Sequence, residues 1–228
     1  MSKNKNSQIP LDFKHTPSLA LADFIVSDAN SLAFEHVIAY PNWRVPMSLI
    51  IGPPKSGKSH LSRIWIEKSN AIIAENQMLE DLAKQGGNEP VLLENIDNGK
   101  FNEQAVFHFL NKSIRDERVV LITATKPISQ WPFITNDVKS RARLAASFSV
   151  DTPDDVQLSQ MFAKLFDDRQ IKVEPKIISY LVSRMERSAA EVVALVAKMD
   201  MIALSRNKPI TIAVAKEALS LKEKHEQI

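Results

Sequence analysis

The run Met47-Ser-Leu-Ile-Ile51, followed at once by Gly52-Pro-Pro-Lys-Ser-Gly57-Lys58-Ser59, decides the fold of this chain. Five mostly apolar residues predict a buried strand, and the eight after them have the glycine, lysine and serine spacing of a phosphate-binding P-loop. Gly52 and Gly57 let the backbone turn and bring N–H groups against phosphate oxygens, with Pro53, Pro54, Lys55 and Ser56 forming the loop between them. Lys58 has the reach for the β- and γ-phosphates, and Ser59 offers a hydroxyl to Mg²⁺ at a helix N-terminus. His60 opens the helical stretch that leaves the loop and runs to Lys68. Only 5 glycines in 228 residues make the pattern hard to obtain by accident.

Outward from the loop, short apolar runs at 48–51, 71–74, 91–93, 119–123 and 147–150 alternate with helical stretches. That alternation predicts an α/β fold with a parallel sheet sandwiched by helices. Gln85-Gly-Gly-Asn88 reads as a surface loop ahead of the third strand, and Trp43, between Pro41 and Pro46, as packing ahead of the first. Beyond Asp151-Thr-Pro-Asp-Asp155, a helix-start signal, the strands stop and three or more amphipathic helices are predicted, a small all-helical lid. Met185, Met199 and Met201 fall in helical segments there and read as core. Residues 1–16 carry no helical period and read as a flexible tail. The expected organisation is tail 1–16, nucleotide-binding domain 17–151 and helical domain 152–228.

Composition narrows the function classes. A hydrophobic fraction of 44% can supply a core for both domains, and 29 basic against 27 acidic residues leave no global field for nucleic acid or anionic lipid. The absence of cysteine excludes a disulfide framework and thiolate metal sites and suits a reducing cytoplasm. The five histidines have no metal-ligand spacing, and no nucleophile triad is visible. No apolar run approaches the ~20 residues of a membrane span, and the first 15 residues are too polar for a signal peptide, so a cytoplasmic protein without membrane contact is expected.

The nucleotide site needs more than the loop. Val91-Leu-Leu-Glu94-Asn95 ends an apolar strand in an acidic residue, which makes Glu94 the candidate to hold Mg²⁺ through water. Asn95 occupies the position where hydrolytic P-loop proteins place a second carboxylate, and an amide is no base. The same two residues also read as a solvated strand end and a turn. Thr125 closes the strand Val119-Val-Leu-Ile-Thr123-Ala at the sheet edge where ligands sit, a place to sense the γ-phosphate or simply a good strand former. Arg141 and Arg143, in Val138-Lys-Ser-Arg-Ala-Arg143, have the reach for a phosphate in this or a neighbouring molecule; as surface residues they are otherwise only solvated.

Together these pieces resemble the AAA+ ATPases of the DnaA type and, within them, the short Hda-type regulators (regulatory inactivation of DnaA). The resemblance covers nearly the whole chain: Phe24-Ile-Val26-Ser27 with Asn30 and Ala33, the continuation Gly57-Lys-Ser-His-Leu61, Lys139-Ser-Arg141, and the helical close at Pro209-Ile-Thr211. It implies that Phe24, Ile25, Val26 and Asn30 line an adenine pocket, that ADP or ATP with Mg²⁺ is the ligand, and that Arg141 is an arginine finger offered to a neighbour's ATP. The family's lid arginine aligns with Ala190, leaving Arg187 one turn early as the substitute sensor. Lys55 stands where such loops commonly have glycine, and Glu94-Asn95 replaces the usual acidic pair. DnaA proper adds a helix-turn-helix domain, for which the chain as given leaves no room, so no sequence-specific DNA binding is expected. Gln8-Ile-Pro-Leu11-Asp-Phe13 resembles the peptide by which bacterial replication proteins bind the DNA sliding clamp, the beta subunit of DNA polymerase III. There the Gln8 amide pairs with backbone groups while Leu11 and Phe13 enter an apolar pocket.

Three functions compete. The first is a regulator that docks on the clamp and makes DnaA hydrolyse its ATP by supplying Arg141, with little hydrolysis of its own. The second is an ATP-driven loader or remodeller, against which Asn95 argues. The third is a non-hydrolytic P-loop adaptor of the replication machinery, which Lys55 and Glu94 keep open. Homo-oligomerisation stays open in all three.

Overall fold

A computed structural model describes Leu21 and residues 24–223, the last three of them by backbone alone. Five strands form one parallel sheet: β1 (Met47–Ile51), β2 (Ile72–Ile73), β3 (Val91–Leu93), β4 (Val120–Ala124) and β5 (Ala146–Ser149), in the order β2-β3-β4-β1-β5. The register pairs Leu49 with Ile122 on one side and Ser147 on the other, and Leu93 with Ile122. Both faces of the sheet are covered, which is why its central strands are apolar runs rather than alternating ones.

Alternate side chains serve opposite layers. Leu49, Leu93, Val120 and Ile122 pack toward α3 (Leu79–Gln85), α4 (Glu103–Arg115) and α5 (Asn136–Ala142), where they meet Leu79, Val106 and Phe109. Ile50, Leu92 and Leu121 point the other way, onto α1 (Ser31–Ile38) and α2 (Lys58–Ser69), and meet Val37, Leu61, Ile64 and Trp65. Each fully buried side chain of this kind contributes ~1.5–3 kcal/mol. Trp43 stacks on Trp65 at 5.6 Å and on His36 at 4.4 Å, so it does pack ahead of β1. Arg118, buried at 1% exposure, closes the end of α3 by donating to the carbonyls of Leu82, Gly86 and Gly87.

Four helices follow the sheet: α6 (Asp155–Asp168), α7 (Pro175–Val182), α8 (Ala189–Arg206) and α9 (Ile212–Glu223). Asp154 and Gln157 start α6 as a reciprocal pair: the Asp154 carboxylate accepts from Gln157 N–H at 2.8 Å, and the Gln157 side-chain oxygen accepts from Asp154 N–H at 3.0 Å. Packing divides the described residues into two units. One runs through Leu158 and takes in Arg187–Ala189; the other comprises Ser159–Glu186 and the residues from Ala190 on. The second unit buries Phe162, Leu181, Leu195 and Val196, together with Met185 and Met199. Met201, expected in that core, is 51% exposed, because it falls two residues past Met199 and so on the opposite side of α8. Among the described residues no helix is long and apolar enough to cross a membrane.

Candidate nucleotide site

β1 delivers the loop to the C-terminal edge of the sheet, beside the ends of β4 and β5. Gly52 N–H donates to Ala124 O at 3.1 Å, and Val150 N–H to Ile51 O at 2.8 Å. A Cβ on Gly52 would lie 2.0 Å from the Val150 carbonyl oxygen, so this glycine is required by backbone approach. Gly57 is required by conformation: at φ 103° it is the N-cap of α2. Lys55 has φ 65°, which explains why glycine is common at this place in the loop; a lysine there carries ~1–2 kcal/mol of strain. Pro53 and Pro54 are exposed and Ser56 is buried.

Because α2 begins at Lys58, the N–H groups of Lys58, Ser59 and His60 belong to its open first turn. The Lys58 ammonium is buried and donates to Gly52 O at 2.7 Å and Pro53 O at 2.8 Å. Burial holds it below the ordinary lysine range, while the Asp97 and Glu94 carboxylates pull the other way. One helical position on, the Ser59 hydroxyl donates to Glu94 Oε1 at 2.8 Å, across 35 residues of sequence. The loop and the end of β3 therefore present a hydroxyl, a carboxylate and an ammonium together.

The turn after β3 is sewn to the end of β4. Asn95 N–H donates to Thr123 Oγ1 at 2.8 Å and Ile96 N–H to Thr123 O at 3.0 Å. Asn95 has φ 52°, a left-handed conformation that asparagine tolerates better than most residues. Asp97, 8% exposed, then accepts from Thr125 N–H at 3.0 Å, Thr125 Oγ1 at 2.6 Å and Lys126 N–H at 2.8 Å. Thr125, expected either to sense a phosphate or to serve only as a strand former, donates its hydroxyl proton to that carboxylate. Asp97 escaped the sequence reading: only the β3–β4 register brings it beside Thr125.

The segment before α1 lies over the loop. Phe24 stacks on Phe34 at 5.1 Å, meets the His60 ring edge-on at 5.0 Å and lies 3.8 Å from where a Gly57 Cβ would be. Asn30, buried, organises this segment: its amide donates to Ile25 O at 3.0 Å and its carbonyl accepts from Ser27 N–H at 2.9 Å. Ile25 is half-buried and Val26 is 46% exposed.

The arginines go separate ways. Arg141, in the last turn of α5, is exposed, as is Arg143 just past it, and among the described residues neither has an ion-pair or side-chain hydrogen-bond partner. Arg187 is paired with Asp155, Nη2 to Oδ1 2.7 Å, an exposed bridge that occupies its guanidinium. Gln8, Leu11 and Phe13 lie outside the described residues.

The residues present fit an adenine nucleotide with Mg²⁺. Ser56 Oγ, in the loop, and Ser27 Oγ, in the segment above it, are both buried without a hydrogen-bond partner among the described residues. Ser62 Oγ, Trp65 Nε1 and Ser113 Oγ are likewise unpaired among the described residues, so the fit rests on the donor set itself: an ammonium, a hydroxyl, a carboxylate and the open N–H groups of α2.

No family model matches the chain. In sequence it is 23% identical over 239 residues to the chromosomal replication initiator protein DnaA of Wolinella succinogenes, an alignment that covers 93% of this chain and 55% of that protein. The chain thus spans about half the length of this relative. Its fold matches domain III of the Thermotoga maritima replication initiation protein DnaA with a TM-score of 0.67 at 14% identity, over 90% of this chain and 96% of that one. AMPPCP-bound DnaA from Aquifex aeolicus matches with a TM-score of 0.66 at 18% identity, over 94% and 71% of the two chains. The chain has the AAA+ P-loop fold of these DnaA domains.

Proposed function

We propose that this chain is a negative regulator of replication initiation: it binds adenine nucleotide with Mg²⁺, docks on the DNA sliding clamp through its tail, and promotes hydrolysis of ATP held by DnaA. The observation that carries the reading is the convergence of Lys58, Ser59 and Glu94 at one end of the sheet, in a chain whose Arg141 is exposed and, among the described residues, without a side-chain partner. The solved structure of DnaA with AMPPCP supports a nucleotide as the ligand.

In this reading the open N–H groups of the loop and of α2, with the Lys58 ammonium, hold the phosphates. Ser59 and Glu94 would hold Mg²⁺, supplying a hydroxyl and a carboxylate oxygen for it. The bound ion neutralises phosphate charge and orients the phosphates. Phe24, Ile25 and Val26 cover the base, and Asn30 keeps them in place by pinning Ile25 and Ser27. Turnover by the chain itself is slow, because Asn95 cannot take a proton and its left-handed backbone makes it a turn residue. Arg141 works on the partner: its guanidinium meets the charge that develops on the phosphoryl group as DnaA transfers it to water. The tail peptide, Gln8, Leu11 and Phe13, enters through its sequence.

The test is a reconstituted assay of DnaA-bound ATP hydrolysis with and without the chain and DNA-loaded clamp. The reading requires stimulation that depends on all of them. Stimulation that ignores the clamp removes the tail from the mechanism; no stimulation at all, with nucleotide binding intact, leaves the adaptor reading.

A further inference from the structure

Arg141 is carried by a helix of only seven residues, too short to hold its own direction in water. Its body is fastened by Val138 and Ala142, both fully buried under the sheet. Its start is fastened differently. Glu103, the first residue of α4, receives Ile134 N–H at 3.0 Å on one carboxylate oxygen, and Thr135 N–H at 2.7 Å together with the Thr135 hydroxyl on the other. Thr135 is the N-cap of α5, and its Oγ1 accepts from Asp137 N–H at 3.4 Å. One carboxylate thus ties the first turn of α4 to the N-cap of α5 and the residue before it through three bonds. Those bonds, with Lys139 nearby, hold Glu103 below the ordinary glutamate range, the Thr135 hydroxyl contributing most.

The surroundings argue against a simple packing role. The loop before α5 is already anchored by Trp131 and Phe133, 2% and 6% exposed, and by Trp131 Nε1 donating to Lys126 O at 2.9 Å. The added latch fixes the two residues after that anchor, one of which, Ile134, is 93% exposed and gains nothing from burial. What the latch controls is where α5 starts, hence the direction in which Arg141 leaves its last turn roughly 9 Å further on.

We propose that Glu103 is the positioning residue of Arg141: by clamping Ile134 and Thr135 it aims the guanidinium at the partner's phosphates. This rests on the reading of Arg141 given above. Removing the carboxylate leaves Val138 and Ala142 in place, so α5 persists but swings about that buried side. An arginine that misses by an ångström loses most of its effect, roughly 10- to 100-fold in the stimulated rate.

The chain has no cysteine, so Arg141→Cys carries a single nitroxide label on the full chain. Comparing the label in otherwise parental, Glu103→Ala and Glu103→Gln chains reads how firmly position 141 is held. In parallel, Glu103→Ala and Glu103→Gln with Arg141 intact are assayed for stimulation of DnaA-bound ATP hydrolysis at saturating protein. The expected result is a more mobile label in both variants, a 10- to 100-fold lower maximal stimulation, and unchanged nucleotide affinity. Leu92→Ala, on the far face of the sheet, serves as a destabilised control that leaves the label unchanged. A label as immobile without Glu103 as with it overturns the proposal, as does full stimulation by Glu103→Ala. If the parent chain does not stimulate DnaA, the functional reading fails, and the label alone decides whether Glu103 positions residue 141.

Discussion

The Ser59 hydroxyl donates to the Glu94 carboxylate across 2.8 Å, joining the first turn of α2 to the end of β3. In the proposed reading this donor and acid, beside the buried Lys58 ammonium, are the residues that hold Mg²⁺. Both should matter most when Mg²⁺ is present. Glu94→Gln is expected to weaken the Mg²⁺-dependent part of ADP affinity by roughly 10- to 100-fold, as loss of an outer partner of a metal does, and to leave the Mg²⁺-free affinity unchanged. Calorimetry with and without EDTA measures both parts.

Gly52→Ala is expected to disrupt the loop through backbone collision alone. The new Cβ meets the Val150 carbonyl at 2.0 Å, and a carbonyl at the end of β5 cannot rotate away as a side chain does. Nucleotide binding should be lost, and thermal unfolding should occur at lower temperature even without ligand. Lys55→Gly relieves a left-handed lysine but is expected to change stability by no more than about 1 kcal/mol in either direction, since the added glycine entropy offsets the strain.

Thr125→Val removes the hydroxyl that donates to Asp97 at 2.6 Å and leaves that carboxylate with backbone donors only. Asp97 is nearly buried, so a cost of about 1.5–3 kcal/mol in urea unfolding is expected. A phosphate sensor would instead show a change in nucleotide affinity at unaltered stability, and that outcome would return Thr125 to the role its position in the sequence suggests.

What the sequence made readable followed from physical necessity. β1, β3 and β4 are buried on both faces, so their apolar runs stand out, and the loop glycines are fixed by a collision and a positive φ that no other residue serves as well. Asp97 was not readable, because one acid among 27 acquires meaning only when β4 brings Thr125 beside it. Glu103 was hidden for the same reason, its partners lying more than thirty residues away. Asn95 was readable as a poor base, but its left-handed backbone, which gives asparagine a second reason to be there, shows only in the fold. Met201 misled because a methionine in a helical segment reads as core until the buried face of the helix is known.

Stability should also fall in mild acid through His36. Its ring is held between Trp43 at 4.4 Å and Phe148 at 4.1 Å, with Nε2 2.7 Å from Ser48 Oγ, and burial lowers its pKa. The unfolded chain therefore takes up this proton first as pH falls. The contribution of His36 is complete above the ordinary histidine range and is lost as pH drops through the lowered folded value. Thermal unfolding between pH 8 and pH 5 should show this loss, and His36→Gln should show a shallower decline over the same interval from a lower starting stability. Equal slopes would remove His36 as the cause.

The most direct test of the proposed mechanism is single-turnover hydrolysis of DnaA-bound ATP in the presence of DNA-loaded clamp, comparing the parent chain with Arg141→Ala. The variant should bind ADP and clamp as the parent does, since the Arg141 side chain is exposed and, among the described residues, has no hydrogen-bond or ion-pair partner. Its stimulation should nevertheless fall by roughly 10³-fold or to the unstimulated rate, whichever is reached first, while Arg143→Ala loses much less. An Arg141→Ala chain that stimulates DnaA as well as the parent would contradict the mechanism at its central residue.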